Sequence, residues 1–358
     1  MKTIDMIKEL AEAFGPPGFE GDVIEIARKY IPAGARIVQD SIKNLYICPK
    51  NEQNPDLPTV LVDAHSDEVG LMIQAIRDNG TMTFVTLGMW VPATLAAQKV
   101  RIKNIHGEIV HGVIASKPPH FAANQDAALK FEEMVIDVGA TCKQDAIENF
   151  GMAPALPAVP FSSFKHDEKN AVIGCKAFDC RLGCASVLQI MNKIQDMDLN
   201  VNVVGVLSAQ EEVGMRGAKV VTNVIKPDLA ICFEGTPADD TVTKPDLSQT
   251  MLKKGPMLRH YDPGMITHPD FMRFALDVAA KRGIPAQQAV RSGGYTNGAA
   301  IHLSHLGIPT IVIGHPVRYI HSPNSIAALE DYENGTKLAV EILKALNKDE
   351  VMKIRGAL

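Results

Sequence analysis

Five short segments carry side chains able to hold a divalent cation: Asp63-Ala64-His65-Ser66-Asp67-Glu68, Lys176-Ala177-Phe178-Asp179-Cys180-Arg181, Gln210-Glu211-Glu212-Val213-Gly214, Glu234-Gly235 and Arg318-Tyr319-Ile320-His321-Ser322-Pro323. Any one of them alone has an ordinary explanation. A lone histidine is usually a hydrogen-bonded structural residue, and Glu-Glu pairs are common on solvated faces. Their placement along the chain says more. Four follow short apolar runs that read as buried strands, Thr59–Val62, Val201–Leu207, Leu229–Phe233 and Thr310–Ile313, and the fifth leads into a helix. Ligands of an open α/β sheet collect beyond the carboxyl ends of its strands. A solvated charge run has no reason to follow buried strands each time.

The donor types fit two metals. Two histidine nitrogens, two terminal carboxylates and one shared carboxylate make a pair of zinc-like sites with positions left open to water. Two cations about 3.5–4 Å apart can polarise a carbonyl and bring the pKa of a water towards neutrality. Neighbouring side chains diverge on an extended turn, so one of Glu211 and Glu212 can bind metal while the other reaches the water. Asp67, two residues from His65, is placed to accept the other imidazole N–H and fix the tautomer.

The elements that must position these groups are legible in outline. Ile4, Ile7, Leu10, Ala11 and Phe14 make one helical face, and Val23, Ile26, Ala27 and Tyr30 another, with Gly-Pro-Pro-Gly at 15–18 between them. Strands are expected at Ala35–Gln39 and Asn44–Cys48. From about residue 70 to 165, short β-like runs alternate with Gly, Asn and Pro turns, interrupted by one helix-like stretch near Cys142–Asn149. After Asn170, strands alternate with helices near Leu182–Ile194, Gly217–Ile225, Phe271–Lys281, Asn297–His305 and Tyr332–Leu346. The expected fold is α/β: a mixed, largely parallel sheet flanked by helices, formed by residues 1–68 and 167–358, carrying an inserted β-rich, barrel-like domain at 69–166.

Composition narrows the classes of function. The 358 residues carry a net charge of -5 without a long basic run, which speaks against nucleic acid and anionic membrane as partners. The N-terminal stretch mixes charged and apolar residues at helical spacing and has no signal-peptide pattern, so a cytoplasmic protein is expected. Cys48, Cys142, Cys175, Cys180, Cys184 and Cys232 form no CxxC pair, and buried reduced thiols are expected of several.

The ordered motifs HSDE at 65–68, AFDCRLG at 177–183, AQEEVGMRGA at 209–218, FEGTPADDT at 233–241 and PVRYIHSP at 316–323 resemble the tetrahedral metallo-aminopeptidases, cytosolic dinuclear enzymes often labelled cellulases or endoglucanases. The resemblance extends to the TLGMW and ASKPPH segments of the insertion. It implies that Asp179 bridges two divalent ions, zinc or cobalt with manganese also compatible. His65 and Glu234 would complete one site, Glu212 and His321 the other, with Glu211 as general acid/base. It further implies short peptides with a free N-terminus as substrates, and dimers assembled through the β-rich domain into a twelve-subunit homo-oligomer.

Three departures from the family pattern stand out: Glu234 where Asp is common, Cys180 after the bridging residue where Asp or Asn is common, and Gly293-Gly294-Tyr295-Thr296-Asn297 in place of Gly-Gly-Thr-Asp. A cis peptide bond is expected at Asp179–Cys180. The competing classes are a two-metal carboxypeptidase or N-acyl deacylase, an endoglucanase, and a scaffold without chemistry. The inserted domain argues against the first pair. A single Trp argues against a carbohydrate groove, and the intact set of polar residues against a scaffold. His302, His305 and His315 are expected to pack or face solvent, His120 to belong to a structural turn, with reach to a neighbouring active site as the alternative, and Arg318 and Tyr319 to shape the pocket.

Overall fold

The computed structural model describes residues 3–50, 54–116, 119–121 and 128–356; Lys117 and Pro118 of the ASKPPH segment lie outside them. At its centre four strands run parallel in the order Asn202–Ser208, Thr59–His65, Leu229–Pro237 and Thr310–Arg318. Antiparallel strands extend the sheet on both sides, Leu45–Cys48 and Arg36–Gln39 at one end and Ser325–Ala328, Val172–Cys175 and Lys165–Asp167 at the other. The central strands are apolar throughout because both faces are covered. Val60 and Val62 point into one core layer and Leu61 into the other, as the two-residue pleat requires.

The helices Phe178–Ile194, Leu329–Ala345 and Thr3–Glu12 lie on the first face, and Arg216–Ile225 and Asn297–Ile301 on the second. In the first helix Met6, Ile7, Leu10 and Ala11 are buried. Ile4 packs half-buried against the same core, Met6 joins that face, and Phe14 is buried beyond the helix end. Among the described residues, no helix is long and apolar enough to cross a membrane.

Six strands close a separate barrel in the order Gly70–Ile76, Met82–Leu87, Val135–Asp137, Ile109–Ala115, Lys99–Lys103 and Pro157–Pro160. Alternate residues fill it, among them Leu71, Ile73, Val100, Ile102, Ile114 and Ile136. The Trp90 indole caps one end and donates to the Gly70 carbonyl at 3.1 Å.

Several expectations need correction. The insertion holds a second short helix, Pro92–Leu95, started by a proline that has no N–H to lose, and its last strand, Pro157–Pro160, is bounded by prolines. Met257–Asp262, Gln287–Val290 and Ser325–Ala328 are strands whose polar residues hide any alternation. The helix expected to reach His305 stops at Ile301, and the chain then turns, with His305 left-handed. A further helix, Lys348–Arg355, begins where the Asn347 side chain accepts from the Glu350 N–H at 2.9 Å.

Candidate metal centre

His65 ends its strand, Glu234 lies inside its own, and Asp179 opens the long helix behind them. Gly235 lets that strand approach closely, since a Cβ there would lie 2.6 Å from the Asp179 Cα. The Asp179–Cys180 peptide bond is cis. One oxygen of Asp179 is 3.0 Å from Nε2 of His65, and the other is 3.1 Å from Nε2 of His321. His65 Nε2 also meets Glu234 Oε1 at 3.1 Å, while His321 Nε2 lies 3.5 Å from Glu212 Oε1. Two adjoining groups of donor atoms result, one with His65, Asp179 and Glu234 and one with Asp179, Glu212 and His321, sharing the single carboxylate of Asp179.

The residues present fit cations. Among the described residues, Glu212 Oε1 and Glu234 Oε2 are buried and have no hydrogen-bond partner, a costly arrangement unless a cation takes the lone pairs. Burial and the surrounding carboxylates push Glu212 and Glu234 well above the usual carboxylate range. Burial would lower both histidines, but facing carboxylates outweigh it and raise them, His321 to about 9. Protons thus occupy positions that divalent ions would neutralise better. The Cys180 sulfur lies within the first donor group, yet it donates to the Phe233 carbonyl at 3.4 Å, and burial raises its pKa so that the thiol stays protonated. Cys184 likewise donates to the His65 carbonyl at 3.0 Å. Both behave as packing residues.

Left-handed backbone at residues other than glycine gathers around this centre: Ala177, Gln210, Met215, Tyr319 and His321 all have φ between 54° and 58°. Such conformations persist where surrounding contacts over-determine them. One such contact concerns Asp67, which faces the imidazole and a second set of donors. The His65 Nδ1 is 3.2 Å from the Asp67 main-chain carbonyl and 3.5 Å from its carboxylate. The carboxylate itself accepts the main-chain N–H groups of Glu211 at 2.9 Å and Glu212 at 3.1 Å. Asp67 therefore faces the imidazole, as expected, and also positions the glutamate turn, because two N–H donors converge on its oxygens.

Glu211 borders the same space, and burial, reinforced by Asp67 and Asp179, pushes its carboxyl up to about 7. A cavity of about 340 Å³ opens on the cluster. Its far wall is built by Met89, Met215, Pro237, Tyr295 and Ile320, with Arg259 and Arg291 beside them. Both guanidiniums are paired, Arg259 with Asp262 at 3.0 Å and Arg291 with Asp239 at 2.8 Å. Sequence reasoning does not foresee Met89 here. It comes from the barrel, and its main chain also faces the His321 ring.

Other histidines and the pocket candidates resolve as follows. His315 is buried, 2.9 Å from Ser186 Oγ and stacked on Phe233, and burial holds it down at about 3. His302 and His305 meet main-chain carbonyls, and His120 is exposed. Arg318 does not shape the pocket, because Asp240 draws it away at 2.6 Å; Tyr319 is half exposed and does not line the cavity.

Sequence reasoning also missed a buried ion cluster next to His65 and Asp179 in the chain. There Lys176 and Arg181 share the buried Glu68 at 2.6 and 3.3 Å. Arg181 also donates to the carbonyls of Leu10, Gly15 and Ser66, tying the first helix to the chain just beyond His65.

Comparison with known proteins accords with this geometry. Residues 44–338 match the family described as M42 glutamyl aminopeptidase. The glutamyl aminopeptidase of Lactococcus lactis subsp. cremoris is 30% identical over 360 residues, covering 99% of this chain and 100% of the relative. A TET aminopeptidase from a marine sediment Thaumarchaeota archaeon superposes with a TM-score of 0.94 at 35% identity, covering 98% of this chain and 99% of the other. The Pyrococcus horikoshii TET1 peptidase, which can assemble into a tetrahedron or a large octahedral shell, superposes with a TM-score of 0.86 at 27% identity, covering 96% and 100%. The chain belongs to the M42 glutamyl aminopeptidase family.

Proposed function

We propose that this metal-dependent aminopeptidase would hold two divalent cations at the two donor groups that share Asp179, and that Glu211 is its proton carrier. The observation that carries the reading is the pair of donor groups meeting on one carboxylate, each oxygen of Asp179 turned to a different histidine. Asp179 with His65 and Glu234 would hold one ion, and Asp179 with Glu212 and His321 the other. Nitrogen and carboxylate donors of this kind suit zinc or cobalt, and also manganese. Bound there, such ions lower the pKa of water and polarise a peptide carbonyl.

The chain's own residues supply the rest. Glu211 takes a proton from the water that attacks the carbonyl carbon. It returns that proton to the amine nitrogen as the C–N bond breaks, leaving a free amino acid and a shortened peptide. A carboxyl poised near neutrality suits both transfers. The cavity's far wall receives the N-terminal side chain of a short peptide.

We further assign 69–166 to an inserted assembly domain and 1–68 with 167–358 to the catalytic domain, the chain forming dimers within a twelve-subunit homo-oligomer; a TET1 relative is a dodecamer in its crystal. The free thiols of Cys175, Cys180, Cys184 and Cys232, all buried, suit a reducing compartment, the cytoplasm.

Glu211→Gln is the test. It should keep both metals, by elemental analysis, and lower kcat about 10²–10⁴-fold on a leucyl anilide. Normal turnover would remove Glu211 from the mechanism. Equal cleavage of a peptide and its N-acetylated form would point instead to a deacylase or carboxypeptidase.

A further inference from the structure

The turn that carries Glu211 is held in an unusual way. Four consecutive main-chain N–H groups, from Ala209 to Glu212, are each received by a side chain from elsewhere in the chain. Asn44 Oδ1 accepts from Ala209 at 2.8 Å, Glu20 Oε1 from Gln210 at 3.2 Å, and the two oxygens of Asp67 from Glu211 at 2.9 Å and Glu212 at 3.1 Å. All three side chains are buried. Left-handed Gln210, at φ 58°, turns successive N–H groups towards a common side, the geometry of an anion-binding nest.

Glu20 is the member without an evident local reason. It precedes the helix Gly21–Arg28 but does not cap it, accepting instead from Gly18 N at 2.8 Å, which points back along the loop. The nearby Lys43 ammonium does not pair with it and donates to the Gly18 carbonyl at 3.0 Å. Its second oxygen, Oε2, is buried and has no partner among the described residues. Burial, then the charge of Asp67, push the Glu20 carboxyl up to about 7, with Lys43 opposing weakly. Around neutrality a large share of it is therefore the uncharged acid, with Oε2 as the atom free to carry the proton. An uncharged acceptor holds Gln210 without adding a negative charge beside Asp67 and Glu211.

We propose that Glu20 is a positioning residue for the reaction: through the main-chain N–H of Gln210 it fixes the turn that aims Glu211 into the cavity. The inference rests on the reading of Glu211 as proton carrier. A residue that served only the loop would affect melting and leave turnover alone.

Three variants of the full-length protein, Glu20→Ala, Glu20→Gln and Glu20→Asp, test it, with kcat and KM on a leucyl anilide, bound metal and melting temperature measured for each. Glutamine presents the same acceptor at the same reach, so Glu20→Gln should keep kcat within about twofold. Glu20→Ala removes the acceptor, and should lower kcat about 10–100-fold, the usual cost of losing an outer partner, with KM and metal content unchanged. Glu20→Asp keeps the acid but falls one methylene short, and should behave as the alanine variant; it carries the test if Glu20→Ala does not fold. The proposal is overturned if both shortened variants keep wild-type kcat, if their defect appears in KM or metal content alone, or if Glu20→Gln is as impaired as they are. Glu211→Gln run beside them separates the two ideas. If it turns over normally, the reading of Glu211 fails; if it is inactive while Glu20→Ala is not, only the role of Glu20 falls.

Discussion

Gly88 joins the barrel to the metal centre, and replacing it with alanine measures how tightly. Its φ is 85°, and a Cβ there would lie 2.7 Å from Val69 Cγ1 and 2.8 Å from Glu212 Oε2. The left-handed conformation alone costs about 1–2 kcal/mol once a Cβ is present. Overpacking against Val69 and Glu212 adds about 1–3 kcal/mol, for a total of about 2–5 kcal/mol. Gly107, on a hairpin of the same barrel, has φ 80°, and a Cβ there would meet nothing within 4 Å. Gly107→Ala should therefore carry only the conformational cost. At ~2 °C per kcal/mol for a chain of this size, Gly88→Ala should melt several degrees below Gly107→Ala. Because Glu212 is the group displaced, the weaker of two zinc-binding steps, followed by titrating the metal-free protein against a coloured chelator, should loosen about 10–100-fold. Gly107→Ala should bind zinc as the parent does. If the two variants share one melting temperature and one affinity, the barrel does not brace Glu212 and the reasoning is wrong.

The remaining predictions concern the centre and the pocket. A proton carrier of this kind accepts only when ionised, so kcat/KM should fall as pH drops through the pKa of Glu211. Burial raises that pKa to about 7 and bound cations pull it lower, so the midpoint of the acid limb should lie at or below neutrality; a flat profile from about pH 8 to 5 would exclude it. Stripping the metals should lower the melting temperature by about 8 °C, taking about 4 kcal/mol as the linkage from an ion present at about a thousand times its Kd and ~2 °C per kcal/mol; scanning calorimetry with and without a chelator reads this, and an unchanged Tm counts against the assigned ligands. Metal affinity should rise with pH, since ions must displace protons that His65 and His321, raised by the facing carboxylates, hold more firmly; a pH-independent affinity would contradict that competition. The pocket holds Arg259 and Arg291 and, among the described residues, no carboxylate beyond the metal cluster and Glu211, so lysyl anilides should be cleaved with kcat/KM about tenfold or more below leucyl ones, and equal rates would refute the charge argument.

The sheet is readable in the sequence because its central strands are β-branched runs buried on both faces, and their ends carry the polar residues that the structure gathers around Asp179. Strands such as Met257–Asp262 and Gln287–Val290 escape notice because Arg259, His260, Gln287 and Gln288 break any apolar rhythm. Asp67 stands out for its spacing to His65, but its carboxylate answers to main-chain donors some 144 positions away. Such a partnership leaves no mark in residue type. The same holds for Glu20, Asn44 and Lys176, whose partners are backbone atoms or distant charges brought near only by the fold. Met89 and Gly88 read as part of a separate domain, and nothing in their sequence announces that the barrel leans on the centre.

The sharing of Asp179 also bears on the order of events during synthesis. Its two histidines are drawn from opposite ends of the chain, His65 near the start and His321 near the end, and the second arrives only when Thr310–Arg318 docks beside Leu229–Pro237. Domains fold progressively as the chain leaves the ribosome. A partly made chain can therefore assemble the His65 half of the centre while the other half is still missing. On the ligand roles proposed above, the hydrolytic apparatus would stay incomplete until nearly the whole polypeptide has emerged.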